Sequence, residues 1–351
     1  MSDAELVCEQ SGGWGIITLN RPKALNALTH AMVRDMRAAL DAWAADDTIK
    51  AVLVRGAEDR AFCAGGDIRW LHDAARDHVE QAHAFFRDEY TNNATIFHFP
   101  KPYIALIDGI VMGGGVGVSL HGTFRVAGDR TMFAMPETGI GLFPDVGGGY
   151  FMPRMSANAG LYFALTGARA KAGDCLETGL ATHYVPSDQQ EEMVAALMEI
   201  TFSGDAPNQI ETILDSFSTR PENAPIADNR QAIEQLFEMP DSIEALLERL
   251  KKAGTPFANE TLDTLSTMSP TSLKITLEQM RRGADLEFDD VMAMEFRIVS
   301  RVMTAHDFFE GVRALIIDKD KSPKWAPASV NEITSEDVAA YFEPIENELQ
   351  L

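Results

Sequence analysis

The chain has 351 residues, enough for one large or two ordinary domains, and its composition of 46% hydrophobic and 24% charged residues is that of a folded globular protein. Lys and Arg number 30 against 53 Asp and Glu, and the resulting formal charge of -23 argues against nucleic-acid binding, because neutralising phosphates takes clustered cations. Cys8, Cys63 and Cys175 are too sparse for a disulfide framework and lack the C-x-x-C spacing of a metal site, so the expectation is a reducing, cytoplasmic protein without a metal.

The opening "MSDAELVCEQ" has neither the basic and apolar regions of a secretory signal nor the Arg-rich character of a transit peptide. No apolar run reaches the roughly 18 residues of a membrane span, and no membrane partner is expected. In chain order, apolar runs predict strands at Trp14 to Leu19, Lys50 to Gly56, Tyr103 to Gly109 and Phe124 to Gly128. After the first of these, Thr29 is placed to cap a helix whose apolar face is Met32, Val33, Met36, Leu40 and Trp43. A second helix is predicted from about Val79 to Phe97. Beyond Gln189 the strand signals fade into successive helical segments, and "FSTRPENAPIADN" (217–229) is the turn-rich connector. The predicted division is a core over 1–200 and a helical region over 201–351.

The segment "MGGGVGVS" (112–119) sets four glycines directly after an apolar run, but the spacing is neither G-x-G-x-x-G nor a P-loop. A tightly packed helix start is the plain structural alternative. No G-x-S-x-G elbow occurs, and His72, His78 and His83 lack the i, i+4 pairing of a helical zinc site. His121, beside an apolar helix face, reads as a packing residue. The basic clusters at 247–252, 280–283 and 318–324 could line an anionic ligand, although solvated faces account for them as well.

Glu89 stands out on its helix: it follows Phe85 by four positions and Phe86 by three, and Asn93, Ile96 and Phe97 continue the stripe. A carboxylate on an apolar stripe costs free energy unless a ligand or a partner such as Arg87 satisfies it. Asp145, in "GLFPDVGGG", reads by itself as an N-cap to the segment starting at Val146.

Four motifs in order, "RPKALNAL", "RAFCAGGDI", "MGGGVG" and "FAMPETGIGLFPDVGGGYFMPR", resemble the crotonase, or enoyl-CoA hydratase/isomerase, superfamily. "MSPTSLKITLEQM" and "HDFFEGVRALIIDKDKSPKW" extend the resemblance to the 3-hydroxyisobutyryl-CoA hydrolase branch over nearly the whole chain. The resemblance implies an α/β spiral of β-β-α units with a helical C-terminal extension, binding an acyl-CoA. It implies that the backbone N–H groups of Gly66 and Gly114 hold the thioester oxygen, since glycine lets the substrate approach and fixed donors stabilise an oxyanion without reorganising.

The departures carry as much as the match. Resembling hydratases have a glutamate three residues after the oxyanion glycine, where this chain has Gly117, and a second one where it keeps Glu137. In the hydrolase branch the residues matching Glu137 and Asp145 form the functional pair, Glu89 matches a residue at the substrate, and Lys23, Ala24 and Asp67 lie near the adenine and 3'-phosphate of CoA. The implied reaction is hydrolysis of a short β-hydroxyacyl-CoA, 3-hydroxyisobutyryl-CoA by resemblance, with no cofactor besides the CoA carried by the substrate. Glu137 either attacks the carbonyl or activates water. Two alternatives stay open: a hydratase or isomerase using Glu137 or Asp145 as sole base, and a non-catalytic acyl-CoA-binding protein. The resemblance also raises a homo-oligomer, or else a helical extension folded back on its own chain.

Overall fold

A computed structural model describes residues 4–222 and 224–351. In chain order the strands are β1 (Leu6–Ser11), β2 (Trp14–Leu19), β3 (Ala51–Gly56), β4 (Ala61–Cys63), β5 (Tyr103–Leu106), β6 (Ile110–Met112), β7 (Phe124–Ala127), β8 (Met132–Ala134) and β9 (His183–Tyr184). The first nine helices are α1 (His30–Ala45), α2 (Ile68–Asp77), α3 (Val79–Phe97), α4 (Gly114–Gly117), α5 (Gly148–Phe151), α6 (Ala159–Thr166), α7 (Ala172–Thr178), α8 (Gln190–Met198) and α9 (Ala206–Phe217). Then follow α10 (Arg230–Leu236), α11 (Ile243–Ala253), α12 (Pro256–Thr267), α13 (Pro270–Gly283), α14 (Phe288–Val302), α15 (His306–Val312) and α16 (Ser335–Ala340).

The strands sort into two sheets by a repeated rule. A six-stranded sheet has the order β1-β2-β3-β5-β7-β9 and a three-stranded one the order β4-β6-β8, so each of three successive strand pairs gives its first strand to the large sheet and its second to the small. A helix follows each pair, which is the expected spiral of β-β-α units. From β2 onward the neighbours in the large sheet are parallel, and only β1 runs antiparallel to β2. The central strands are buried on both faces, as Ala51, Val52, Leu53 and Val54 illustrate, which is why they read as unbroken apolar runs.

All four predicted strands are present: β2 has the predicted bounds, and β3, β5 and β7 are shorter at one end. β1 went unread because only Leu6 of "LVCEQS" is buried. Its turn into β2 is two residues long, and Gly12 and Gly13, at φ 57 and 91, supply the left-handed backbone that such a hairpin needs. Helix α1 forms as expected: Thr29 Oγ1 accepts from Met32 N at 3.3 Å, and the buried face is the predicted one. The successive helical segments expected beyond Gln189 are α8 to α16, with α14 and α15 separated by a break at Met303–Ala305.

The chain packs as two compact units. One comprises residues up to Gly66, Thr91–Phe133 and Ala170–Ile226; the other comprises Asp67–Tyr90, Ala134–Arg169 and Ala227–Leu351. The core of the first is Trp14, Leu53, Ile104, Leu106, Val126, Val185, Met193, Leu197, Ile210 and Leu214, with the Trp14 indole donating to Leu197 O at 3.1 Å. The second has its own core, including the fully buried Phe85, Phe143, Phe163, Phe237, Phe288, Phe296 and Phe308. Both units are discontinuous in sequence. A division at residue 200 therefore describes where strands give way to helices, β9 being the last strand among the described residues, rather than a compact unit. The crossing at Ile226–Ala227 falls within the turn-rich connector, of which residue 223 lies outside the described residues.

Candidate active site

In the first unit, strand pairing sets the glycine loops side by side. β4 and β6 are parallel neighbours, with Ala61 opposite Ile110 and Cys63 opposite Val111, and Gly66 and Gly114 follow them by three and two residues. A Cβ on Gly65 would lie 3.3 Å from Met112 O and 3.6 Å from Gly114 N. Gly114 opens α4, so its N–H is among those a helix start leaves without an intrahelical acceptor. Gly115 has a packing reason: a Cβ there would meet Cys63 O at 2.3 Å. The turn carrying Lys23 and Ala24 joins the same place, because Leu25 O accepts from Ala64 N at 3.0 Å and Gly65 O accepts from Leu28 N at 2.8 Å. Lys23 itself is exposed.

In the second unit the buried carboxylates include Glu89, Glu137, Asp145 and Glu295, exposed by 2%, 5%, 4% and 0%. Glu137 begins a 3-10 turn after Pro136, three residues beyond β8. Asp145 lies in the loop before α5, where its Oδ2 accepts from the Tyr90 hydroxyl at 2.8 Å. It does not serve as an N-cap: Gly147 occupies that position of α5, and Asp145 contributes only its carbonyl oxygen, to Gly148 N at 2.8 Å. Asp67, by contrast, does cap a helix, its Oδ1 accepting from Trp70 N at 3.3 Å at the start of α2.

Burial pushes Asp145 up to about 7, a rise that the Tyr90 hydroxyl partly restrains by hydrogen-bonding the ionised form. Glu137 and Glu89 are raised well above the ordinary carboxylate value by burial first and by the charge of Asp145 second. Tyr90 is raised by the same two causes, so its hydroxyl stays a donor at neutral pH. Glu89 Oε1 and Glu137 Oε2 are buried without a hydrogen-bond partner, and so are both amide atoms of Asn93, one turn along α3 from Glu89. Unsatisfied buried acceptors are costly, and a site that a ligand completes is where they occur. Arg87 takes another role than that of partner to Glu89: it donates to Asn347 O and Glu348 O at 2.6 and 2.8 Å and stacks over Phe296.

Three residues of this neighbourhood escaped the sequence reading. Tyr90 carries no signal beyond being aromatic in an apolar stripe. Glu295 had one: on α14 it follows Val291 by four positions and Met292 by three and precedes Ile298 and Val299, the pattern that marked Glu89. Its Oε2 accepts from Gly147 N and its Oε1 from Gly149 N, both at 2.8 Å, and Oε1 also accepts from Gln279 Nε2 at 2.9 Å. Burial raises Glu295 to about 8 against the pull of those backbone N–H groups. Gln279, the third, also donates to Pro144 O at 2.7 Å.

The remaining candidates are occupied elsewhere. Lys251 pairs with Glu248, Arg281 and Arg282 both pair with Glu278, and in the third cluster Lys319, Lys321 and Lys324 are exposed while Asp318 and Asp320 bind Arg313, so solvated faces account for these clusters. His83 hydrogen-bonds Ser300 O at 3.1 Å, His72 lies beside Asp73, and His121 packs against Phe97. The late motif holding Asp307 is structural: that carboxylate accepts from Ser269 Oγ at 2.6 Å and from Ala326 N at 2.9 Å.

Comparison with known proteins agrees with this architecture. Residues 14–342 match the enoyl-CoA hydratase/isomerase family. Curated relatives include the mitochondrial 3-hydroxyisobutyryl-CoA hydrolases of Xenopus laevis, 46% identical over 97% of this chain and 89% of that protein, and of Gallus gallus, 44% identical over 99% and 90%. Among solved structures, a carnitinyl-CoA dehydratase from Mycobacterium thermoresistibile superposes with a TM-score of 0.92 at 41% identity, covering 99% of both chains. With the β-β-α spiral, the paired glycine loops and the buried carboxylates all in place, the chain belongs to the enoyl-CoA hydratase/isomerase family.

Proposed function

We propose that the protein hydrolyses 3-hydroxyisobutyryl-CoA to 3-hydroxyisobutyrate and free CoA, a step of valine breakdown. The observation that carries the reading is the pair Glu137 and Asp145, both buried and both raised in pKa, in a chain that has Gly117 where a hydratase keeps its first glutamate. The names of the curated relatives support it.

In this reaction the N–H groups of Gly66 and Gly114 hold the thioester oxygen as negative charge develops on it. Burial favours the protonated form of Glu137, and Asp145, raised to about 7, can take up a proton near neutral pH, so Glu137 passes its proton to Asp145 as the substrate is engaged. The carboxylate so formed attacks the carbonyl to give a mixed anhydride, or takes a proton from an attacking water. Asp145 then returns the proton to the departing CoA sulfur. On the anhydride route, Asp145 takes a proton from the water that attacks the acyl carbon, Glu137 leaves as a carboxylate, and Asp145 then returns that proton to Glu137. Glu89, with an oxygen free, accepts or donates a hydrogen bond at the acyl hydroxyl, and Lys23, Ala24 and Asp67 attend the nucleotide end of CoA. CoA arrives with the substrate and no other cofactor or metal takes part.

Thiol release from 3-hydroxyisobutyryl-CoA, set beside absorbance loss from crotonyl-CoA, tests the reading, and failure to release thiol removes it. A second reading, hydration or dehydration with Glu137 or Asp145 as sole base, draws on the likeness to the carnitinyl-CoA dehydratase, and crotonyl-CoA turnover without thiol release would support it. Tight acyl-CoA binding without either activity would favour a binding protein. A reducing compartment suits three free cysteines, two of them buried; the curated relatives are named mitochondrial, and localisation of the native protein decides between matrix and cytoplasm. Light scattering on the full chain gives its oligomeric state.

A further inference from the structure

The loop presenting Asp145 is gripped on both sides by two helices that follow it by more than a hundred residues. One position before Asp145, Pro144 O accepts from Gln279 of α13; two and four positions after it, Gly147 N and Gly149 N donate to Glu295 of α14. The two gripping side chains also bond one another. Between these points the backbone is in a conformation that the sequence alone does not favour. Val146 has φ 51, the left-handed region in which a β-branched residue is strained, and Gly147 follows at φ 88. Such a conformation persists only where its surroundings over-determine it, and such conformations cluster at functional sites.

We propose that Glu295, oriented by Gln279, is a positioning residue for Asp145: its carboxylate locks the Val146–Gly147 turn and so holds the Asp145 carboxylate where the Tyr90 hydroxyl and the substrate can reach it. The inference rests on the reading of Asp145 as catalytic. The donor set calls for an ionised carboxylate, and its hydrogen bonds pull Glu295 toward that form against burial. Three N–H donors converge on two oxygens, and glutamine would turn an NH2 toward at least one donor. Burying a further acid beside Asp145 and the Tyr90 hydroxyl raises the cost of every charge there, which a purely structural hydrogen bond has no need to incur.

The test compares Glu295→Gln and Gln279→Met with the wild-type chain. The readouts are kcat and KM on 3-hydroxyisobutyryl-CoA, and the titration of Asp145 followed by carboxylate NMR on Asp-labelled protein, its signal assigned by difference against Asp145→Asn. In Glu295→Gln, kcat is expected to fall about 100-fold with KM changed less than about threefold, the scale of a catalytic group displaced by roughly an ångström. In both variants the Asp145 titration should move up, because a loosened turn weakens the Tyr90 bond that restrains it. Removal of the Glu295 charge alone predicts the opposite sign, a downward movement, and Gln279→Met changes no charge at all. A downward shift in Glu295→Gln with none in Gln279→Met overturns the inference, and so does an unchanged titration with unchanged kcat per folded molecule. If Glu295→Gln does not fold, Gln279→Met carries the test with the same expected direction. A wild-type chain that releases no thiol from this substrate would fail the proposed function, whereas the NMR arm still decides whether the clamp positions Asp145.

Discussion

Asp145 and Tyr90 form the most adjustable contact of the site, because burial drives the acid up while a single hydroxyl holds it down. Tyr90→Phe removes the restraint alone. The ionisation on the acidic limb of the kcat profile should then move to higher pH, and a superimposable profile would show that Asp145 is not the group being titrated. Glu137→Gln and Asp145→Asn should each lower kcat by about 100- to 10,000-fold, the usual worth of a positioned proton-transfer group. Glu89→Gln should differ in kind: a residue that holds the acyl hydroxyl loses discrimination between hydroxylated and plain acyl-CoA, read as the ratio of their kcat/KM values. At this scale legibility followed local pattern. Glu89 was readable because a carboxylate interrupts an apolar stripe, and Glu295 was equally readable by the same rule but stood on a helix with no motif to draw attention to it. Tyr90 was not readable, since only the fold decides which buried aromatic faces a carboxylate.

Elements report where side chains go only when they are long enough to show a period. Helix α1, with sixteen residues, a capping Thr29 and five inward apolar side chains, was legible in full. The small sheet was not: β4, β6 and β8 have three residues each, too few for alternation to appear, yet Gly66, Gly114 and Glu137 each stand within three residues of the end of one of them. The motif residues were therefore found before the scaffold that presents them. The tightest packing in that scaffold is α4 against β4. Gly115→Ala places a methyl against Cys63 O, a backbone atom rather than the far end of a flexible side chain that could yield. A loss of about 1–3 kcal/mol is expected from such overpacking, measured by urea denaturation, and Thr29→Ala, which removes only a cap, should cost about 1 kcal/mol. A Gly115→Ala chain as stable as wild type would mean that the glycine loop does not depend on this contact.

For the molecule as a whole, the buried acids tie stability to pH. Glu89, Glu137, Asp145 and Glu295 are all raised in the folded chain, so between the ordinary carboxylate range and about 7 or 8 the native state binds more protons than the unfolded one. Stability from these groups is thus fully present below the ordinary carboxylate range and falls as pH rises through that window. The melting temperature of the wild type should drop from about pH 5.5 to about pH 8, and the drop should be smaller in Asp145→Asn; equal slopes for the two proteins would contradict the burial argument. The interleaving of the two units lay beyond what the sequence could disclose, because it is a property of long-range contacts and not of any local window. It has a consequence for the chain as it is made. On the ribosome Glu89, Glu137 and Asp145 emerge well before Gln279 and Glu295, and the backbone of Asn347 and Glu348, to which Arg87 is tied, emerges later still. Three acids meant for a dry interior must wait in water until α13 and α14 arrive, and a nascent chain that stalls before Gln279 carries every reacting group of the proposed enzyme without the clamp that sets Asp145 in place.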